Sequence, residues 1–438
     1  MRYIFIINNL SNVKFLQRLD DAIASVDNEL RLRIEMRYTE YPGHAKDIAV
    51  EVSEKFGSSI VVVVCGGDGT VHEVVNALAF RNTPMIVLPL GTGNDFVRSV
   101  FPFKEVRDLK YMLSNLDNLS YYPIDLIRVD SYDLLGSHLS NWSSYVDNIA
   151  SIGLDTVVQA RAKAMVRANN NWFNNKTAYL QSAIHAVLHR SSFKLDYKLE
   201  LENGEVFEST DSEYTLICVC NGQYYGNGFR PAPYAFIDDG IIDVCVVDKV
   251  NFFRAAYLLF LYKFGKHIGK NGVHTYRCTS GTITCHDRAT QLIGNFDGED
   301  FFGNRIRFEV FQSAINIGVI DKYNPLSAQE RSEVKFSSID DSTEESKKLN
   351  NTSEMKNIDD SIEVMTSLTE SLQVDWVEDD TEAEGDFEAG DGAEADFDTK
   401  SASDEINHDS SGAETDEKNT ADSPVKLEIN EDNDGSNI

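Results

Sequence analysis

The stretch that decides the fold reads VVVVCGGDGT, residues 61–70. Four valines in a row are typical of a strand buried on both faces, as in a parallel sheet covered by helices. Because glycine has no Cβ, Gly66, Gly67 and Gly69 let a ligand approach the backbone closely. A helix that opens near Thr70 would add unpaired N–H groups and the positive end of its dipole. The turn therefore predicts an anion site, in the first instance for phosphate.

The same turn also fits a purely structural connection in which Asp68 caps the helix. A second glycine loop favours the functional interpretation, because the strand-like run MIVLPL (85–90) leads into GTGNDF (91–96). Two such loops after successive parallel strands lie at one sheet edge, where α/β sheets bind ligands. The pattern is neither the P-loop GxxxxGK[ST] nor the dinucleotide GxGxxG.

The N-terminal rhythm predicts an α/β domain. Continuous apolar runs at 3–8, 60–65 and 85–90 alternate with helical patterns. One such pattern is an apolar stripe, formed by Val71, Val74, Val75 and Leu78. We expect a three-layer α/β domain with a mostly parallel sheet over residues 1–120.

The pattern changes after residue 120. KLDYKLELENGEVFE (194–208) alternates apolar and polar residues around the hairpin signal Asn203–Gly204. We expect a β-rich, antiparallel, sandwich-like second domain over 121–325, with helical segments near 156–190 and 252–264. Residues 331–438 carry 33 acidic and 8 basic side chains. This composition predicts a disordered acidic tail over 326–438.

Charge and cysteine content exclude some classes of protein. Residues 1–330 carry 38 acidic and 32 basic side chains without an obvious basic run, which argues against a nucleic-acid partner. The six cysteines show no CxxC spacing and are typical of reduced cytosolic thiols. The stretch 252–269 contains Arg254, Lys263 and Lys266 and falls short of a transmembrane segment. We therefore expect a cytoplasmic protein, and a homodimer remains open.

Four motifs in order carry a resemblance to a known family. They are GGDGTVHEVVNAL (66–78), LPLGTGNDFVR (88–98), NGQYYGNGFRPAPYAFIDDGIIDV (221–244) and GNFDGED (294–300). Together they resemble the catalytic domain of the diacylglycerol kinase family, which includes bacterial lipid kinases and the sphingosine and ceramide kinases.

The resemblance implies an ATP- and Mg²⁺-dependent lipid kinase with diacylglycerol as the first candidate acceptor and phosphatidic acid as product. A sphingoid base, ceramide or another lipid is the alternative acceptor, and a catalytically silent nucleotide- or lipid-binding regulator is the alternative class. NAD kinases and phosphofructokinases also carry GGDG, but GTGNDF and FDGED favour the lipid enzymes.

The resemblance also implies roles for single residues. Glu299 would be the catalytic base, although its Asp-Gly-Glu-Asp context is equally good turn sequence, and Asp68 would lie at the nucleotide phosphates, holding Mg²⁺ or handling a proton. The nucleotide-binding set is Asn8, Ser11, Thr39, Gly66, Gly67, Asp68, Gly69, Thr70, Gly91 and Thr92. A structural Mg²⁺ would be held by Asp239 and the carbonyls of Phe236 and Ile241. Asn94, Asp95 and Asp297 would support the site.

Two further expectations concern the first loop and the membrane. The family's first strand ends in Asn-Pro-x-Ser-Gly, whereas NNLSN (8–12) has Asn9 for the proline and Asn12 for the glycine, which weakens the predicted contribution of this loop to ATP binding. A lipid substrate requires peripheral contact with the cytoplasmic face of a membrane. Lys14, Arg18 and the stretch LLFLYKFGKH (258–267) are candidates for that contact, and a core helix over 252–264 fits at least as well. The histidines His44, His72 and His267 lack metal-ligand spacing and receive no role.

Overall fold

The computed structural model describes most of the chain before residue 321. The described residues are 1–9, 13–91, 93–100, 108–154, 156, 192–226, 228–285 and 292–320. The predicted acidic tail at 326–438 lies outside them, as does nearly all of the predicted helical segment near 156–190.

The N-terminal part alternates strands and helices, as predicted. Strands β1 to β4 are parallel and lie in the order β2-β1-β3-β4. The elements are β1 (Arg2–Ile7), α1 (Val13–Ser25), α2 (Asn28–Leu32), β2 (Ile34–Tyr38), α3 (His44–Phe56), β3 (Ile60–Gly66), α4 (Asp68–Leu78), β4 (Met85–Pro89), α5 (Asp95–Val100) and α6 (Leu109–Ser114). Every residue of β3 is buried, because helices cover both faces of the sheet.

The strand order creates a ligand crevice. The chain runs from β1 outward to β2 and then returns across β1 to β3. Since such crossovers are right-handed, the reversal puts the connecting helices on opposite faces of the sheet. Helix α1 packs with α6, and α3 packs with α4. The carboxyl ends of β1 and β3 therefore meet at the switch point, where open α/β sheets bind ligands.

The second part is β-rich and antiparallel, which confirms the predicted class. Its hairpin β8–β9 turns at Asn203–Gly204, where Gly204 has a φ of +82°. The elements are β5 (Leu119–Tyr132), β6 (Ser144–Val146), β7 (Ile149–Gly153), β8 (Phe193–Leu201), β9 (Val206–Cys220), β10 (Ile242–Asp248), α7 (Phe252–Lys263), β11 (Val273–Cys285), β12 (Leu292–Phe296), β13 (Glu299–Gly303) and β14 (Arg305–Ile320).

Alternate side chains of β9 enter two different cores. Ile217 and Val219 pack in the core between the antiparallel strands, while Cys218 packs on the opposite face under α7. Leu258 and Tyr262 of α7 are buried there. The structure therefore supports the core-helix interpretation of 252–264. All six cysteines are buried and free of disulfides.

Strands β5 and β14 join the two parts of the fold. They pair antiparallel along most of their lengths, and Ile317 of β14 also pairs in parallel with Met85 of β4. Phe308 belongs to the second core, whereas Ile317 belongs to the N-terminal core. The boundaries 1–120 and 121–325 stay predictions, because strands 119–132 and 305–320 contribute to both cores.

Candidate active site

The two glycine loops touch each other at the ends of β3 and β4. A Cβ placed on Gly91 would lie 2.3 Å from Cα of Gly67, and one on Gly67 would lie 3.0 Å from Cα of Gly91. No side chain fits in that space. The parallel strands thus bring the predicted phosphate loops together at one sheet edge.

Asp68 connects these loops through its carboxylate. It begins helix α4, and its Oδ1 accepts hydrogen bonds from the N–H groups of Asp95 (2.8 Å) and Phe96 (3.3 Å) at the start of α5. Its Oδ2 and the Oδ2 of Asp95 both face Gly93, where a Cβ would meet them at 2.7 and 3.3 Å. Burial, followed by the charge of Asp95, raises the pKa of Asp68 to about 7. Asp68 is therefore a structural cap that also presents one oxygen to the crevice.

The supporting residues Asn94 and Asp95 have different partners. Asn94, at a φ of +50°, closes its own loop, because its side-chain amide bonds both the N–H (2.9 Å) and the carbonyl (2.7 Å) of Gly91. Asp95 Oδ1 accepts the N–H of Gly228 at 2.8 Å, which ties this loop to the Tyr-Gly-x-Gly turn of the second part.

The end of β1 completes the nucleotide side of the crevice. The Asn8 amide donates to Oγ1 of Thr70 at 3.0 Å, and the N–H of Asn9 donates to Oγ1 of Thr39 at 3.3 Å. Thr70 is buried against Gly66, where a Cβ would lie 2.5 Å from its Oγ1. The structure brings these residues together, while their role in nucleotide binding, including direct phosphate contact by Thr70, stays a prediction. Ser11 and Thr92 lie outside the described residues.

Glu299 reaches the first glycine loop from the second part of the fold. It pairs with Phe296 across a two-residue hairpin turn, in which Asp297 and Gly298 have φ values of +49° and +95°. Asp-Gly is a favoured pair for such a type I′ turn. The Asp-Gly-Glu-Asp segment therefore does form a turn. This turn places the Glu299 carboxylate at the start of α4, where a Cβ on Gly69 would lie 3.9 Å from Oε1.

Asp297 fastens that turn. Its Oδ1 accepts the N–H groups of Asn148 (3.1 Å) and Ile149 (2.9 Å), and its Oδ2 accepts that of Asp147 (2.9 Å). His72 Nδ1 lies 3.1 Å from the same Oδ2. Burial alone would raise the pKa of Asp297, but the bond to His72 and its charge hold that pKa below its usual value.

Sequence reasoning missed the polar residues inside α4. His72, to which the sequence assigned no role, lies with Asp147 and Asp297 in a cluster whose ring-nitrogen and carboxylate-oxygen atoms are within 4.8 Å of one another. Glu73 accepts the N–H groups of Gly43 and Ala45 and so caps α3. Asn76 pairs with the backbone of Tyr145. The available signal was the presence of polar side chains in an otherwise apolar helix.

The predicted metal ligand Asp239 already has partners. Its Oδ1 accepts the N–H of Ile241 at 3.1 Å, and its Oδ2 accepts Nη2 of Arg277 at 3.0 Å. A guanidinium therefore occupies the carboxylate that a cation would use, and this arrangement does not fit a metal ion unless Arg277 is displaced. The carbonyl ligands Phe236 and Ile241 stay predictions, and no chemical step is derived through this site.

Asp68 and Asp95 fit a divalent cation better. Two carboxylate oxygens face the same crevice, and Mg²⁺ prefers one or two carboxylates together with substrate phosphates. Two cationic side chains lie near Gly228, whose N–H bonds Asp95. A Cβ placed on Gly228 would lie 3.3 Å from Nζ of Lys263 and 3.7 Å from Nη1 of Arg98. Cations and backbone N–H groups at this edge suit a polyphosphate ligand.

Two family models match the chain over most of this architecture. The model "Diacylglycerol kinase catalytic domain" matches residues 2–129, and "YegS C-terminal NAD kinase beta sandwich-like domain" matches residues 148–319. The chain belongs to the diacylglycerol kinase catalytic-domain family. As a member of this family of lipid kinases, it has ATP as its implied phosphate donor.

Individual relatives agree with the family models. The chain is 27% identical over 277 residues to "Putative lipid kinase YtlR" of Bacillus subtilis (strain 168), covering 60% of this chain and 84% of that protein. It is 27% identical over 301 residues to "Probable lipid kinase YegS-like" of Pseudomonas aeruginosa (strain UCBPP-PA14), covering 68% and 88%.

A solved structure supports the fold. It is titled "Crystal structure of a putative diacylglycerol kinase from Bacillus anthracis str. Sterne", and the likeness has a TM-score of 0.53 at 22% identity over 74% of this chain and 98% of that one. At this identity the likeness speaks for the fold alone. Among the residues of this protein that the structure describes, no helix is long and apolar enough to cross a membrane.

Proposed function

We propose that the protein transfers the γ-phosphate of ATP to a hydroxyl group of a membrane lipid, with diacylglycerol as the first candidate acceptor. The observation that supports this proposal is the position of the Glu299 carboxylate beside Gly69, at the start of the helix that Asp68 begins. A candidate base and a phosphate loop therefore converge on one point from two parts of the chain.

The chemistry needs few groups. Glu299 accepts the proton of the lipid hydroxyl while the hydroxyl oxygen forms a bond to the γ-phosphorus of ATP. The bond from that phosphorus to the bridging oxygen breaks at the same time, and ADP leaves. The N–H groups at the start of α4 face the charge that develops on the transferred phosphoryl group. Asp68 and Asp95 are the residues that would hold the Mg²⁺ of MgATP, which neutralises phosphate charge.

The acceptor is reached by peripheral contact with an anionic membrane surface. Lys14 and Arg18 are exposed on α1, and each basic side chain near such a surface contributes about 1 kcal/mol. Helix α7 buries Leu258 and Tyr262 in the core, so these side chains cannot also insert into lipid.

The test is phosphate transfer from labelled ATP in mixed micelles containing diacylglycerol, monoacylglycerol, sphingosine or ceramide. Glu299→Gln is expected to lower kcat roughly 10²–10⁴-fold with ATP binding retained, because a general base contributes about that much. Glu309→Gln changes an exposed glutamate that pairs with Arg307, and serves as the matched control.

The outcomes separate the alternatives. Transfer to diacylglycerol supports the first candidate, and transfer only to sphingosine or ceramide names the other acceptor. No transfer to any lipid while ATP still binds would favour a silent regulator. Full activity in Glu299→Gln would remove Glu299 as the base.

A further inference from the structure

His72 links the phosphate loop to the turn that carries Glu299. It lies four residues after Asp68 on α4, so the two side chains share one face of the helix. The imidazole is buried, with 7% of the residue exposed. It meets Asp297 in the hairpin turn at 3.1 Å and Ser144 of β6 at 3.0 Å.

The hydrogen-bond network is compatible with a proton on each ring nitrogen. Ser144 Oγ lies 2.9 Å from Oδ1 of Asn76 and 3.0 Å from Nε2 of His72, and it accepts from Nε2 when its hydroxyl donates to Oδ1. Nδ2 of Asn76 also lies 3.3 Å from Nε2. The two hydrogens of the Asn76 amide go to the carbonyls of His72 and Tyr145. Nδ1 faces only acceptors, with Oδ2 of Asp297 at 3.1 Å and Oδ1 of Asp147 at 3.8 Å. A ring that donates from both nitrogens is an imidazolium.

The surrounding charges favour that cation. Asp147 and Asp297 each expose 2% of their side chains, and Oδ1 of Asp147 accepts no hydrogen bond from the described residues. Burial and the charge of Asp297 raise the pKa of Asp147 well above its ordinary value, whereas the pKa of Asp297 is lowered, so Asp297 is the main counter-charge of His72. Asp68 adds a carboxyl group one turn away on the same helix. Burial lowers the pKa of His72, but the two aspartates outweigh it and raise that pKa to about 10.

The contact extends to the residue opposite Glu299. The Phe296 ring stacks on His72 with centroids 5.6 Å apart, and Phe296 is the hairpin partner of Glu299. His72 therefore touches two consecutive residues of the segment that leads into Glu299, by stacking and by an ion pair.

We propose that His72 is a positioning residue which, as a permanent imidazolium, clamps the Asp297 turn and so holds Glu299 against the first phosphate loop. This inference rests on the proposed function, because its consequence is the alignment of the base with the γ-phosphate. Without the positive charge, two buried carboxyl groups would face each other, and the turn would lose its ionic link to α4.

The kinetic test compares His72→Gln with His274→Gln. The control removes an exposed histidine paired with Asp248 at 2.9 Å on β11, which has no contact with the site in the described structure. We expect His72→Gln to lower kcat by roughly 10- to 100-fold, as misplacement of a reacting group does, while KM for ATP changes less than about threefold. His274→Gln should match the wild type.

Two kinetic outcomes would overturn the proposal. One is a folded His72→Gln variant with wild-type kcat. The other is a variant in which KM for ATP rises and kcat stays at the wild-type value, which would indicate that His72 supports ATP binding and does not align the base. Absence of lipid phosphorylation in the wild type would instead contradict the proposed function.

Nitrogen-15 NMR of labelled histidine tests the clamp without activity, and Asp297→Asn keeps the side-chain shape if His72→Gln fails to fold. We expect one histidine to stay protonated at both nitrogens up to about pH 9 in the wild type, and its pKa to fall in Asp297→Asn because the neighbouring negative charge is lost. If no buried histidine is charged at about pH 8, or if Asp297→Asn moves no histidine signal, the proposal is wrong.

Discussion

Replacing Asp68 with asparagine should abolish activity and stabilise the free protein. The carboxyl has a pKa of about 7 in the folded chain against an ordinary value of 3.8, because it is buried beside Asp95. Asparagine keeps an oxygen for the N–H groups of Asp95 and Phe96, and its amide hydrogens can face Asp95. The substitution thus removes an unfavourable charge and retains the cap.

The size of the effect follows from proton linkage. Each tenfold difference in proton affinity corresponds to about 1.4 kcal/mol, so ionised Asp68 lowers stability by up to about 4 kcal/mol above pH 7. Part of the side chain reaches solvent, and we therefore expect about half of this value. Because the folded pKa exceeds the unfolded one, the unfolded chain loses its proton first, and the penalty grows as pH rises from about 4 to about 7.

Chemical unfolding without Mg²⁺ or nucleotide, at about pH 5.5 and about pH 8.5, measures this penalty. The free energy of unfolding of Asp68→Asn should exceed that of the wild type at both pH values, and this excess should be roughly 1 kcal/mol larger at about pH 8.5 than at about pH 5.5. Asp27→Asn makes the same substitution at an exposed carboxylate that caps α2 through Leu30, and it serves as the control for the loss of a capping aspartate away from the site. A loss of stability in Asp68→Asn, or a gain that is the same at both pH values, would refute the reasoning.

Three further changes test other parts of the site. Gly91→Ala should weaken ATP binding at least about tenfold in an isothermal titration, because its Cβ would lie 2.3 Å from Cα of Gly67 and force the loops apart; unchanged affinity would show that the loop contact is dispensable. In Arg277→Gln, millimolar Mg²⁺ should raise Tm more than in the wild type, because the cation of the Asp239 ion pair is gone, whereas equal shifts would show that Arg277 is not what keeps Mg²⁺ from Asp239. Lys14→Glu combined with Arg18→Glu should reduce binding to phosphatidylserine vesicles at low salt roughly tenfold or more, and undiminished binding would place the membrane contact elsewhere.

The sequence predicted those parts of the fold that depend on local periodicity. The valine run of β3, the apolar stripe of α4 and the Asn203–Gly204 hairpin all form as expected, because each pattern suits one regular structure only. The contact between Gly67 and Gly91 was also predictable, since it follows from parallel strands that end at one edge.

Long-range partners could not be predicted in the same way. Glu299 and Gly69 are far apart in the chain, and motif order alone does not give their distance. The ion pair between Asp239 and Arg277 depends on the register of β10 against β11, which opposes Asp243 and Arg277. The position of the Asp147 carboxyl group next to His72 likewise depends on how the β6–β7 connection meets α4. Single-sequence patterns carry no information on such pairs.

Helix α4 shows why one motif carries so much of the site. Asp68 bonds the start of α5, Thr70 bonds the end of β1, His72 bonds the β12–β13 turn, Glu73 caps α3, and Asn76 pairs with β6. The polar side chains that would weaken an isolated apolar helix each satisfy a buried group on a different element. The phosphate loop and the candidate base are therefore held in register by one rigid element and not by the loops themselves. It follows that substitutions of these polar residues of α4 should disturb the alignment of the site before they disturb the N-terminal core, to which the helix contributes its opposite stripe of Val71, Val74, Val75 and Leu78.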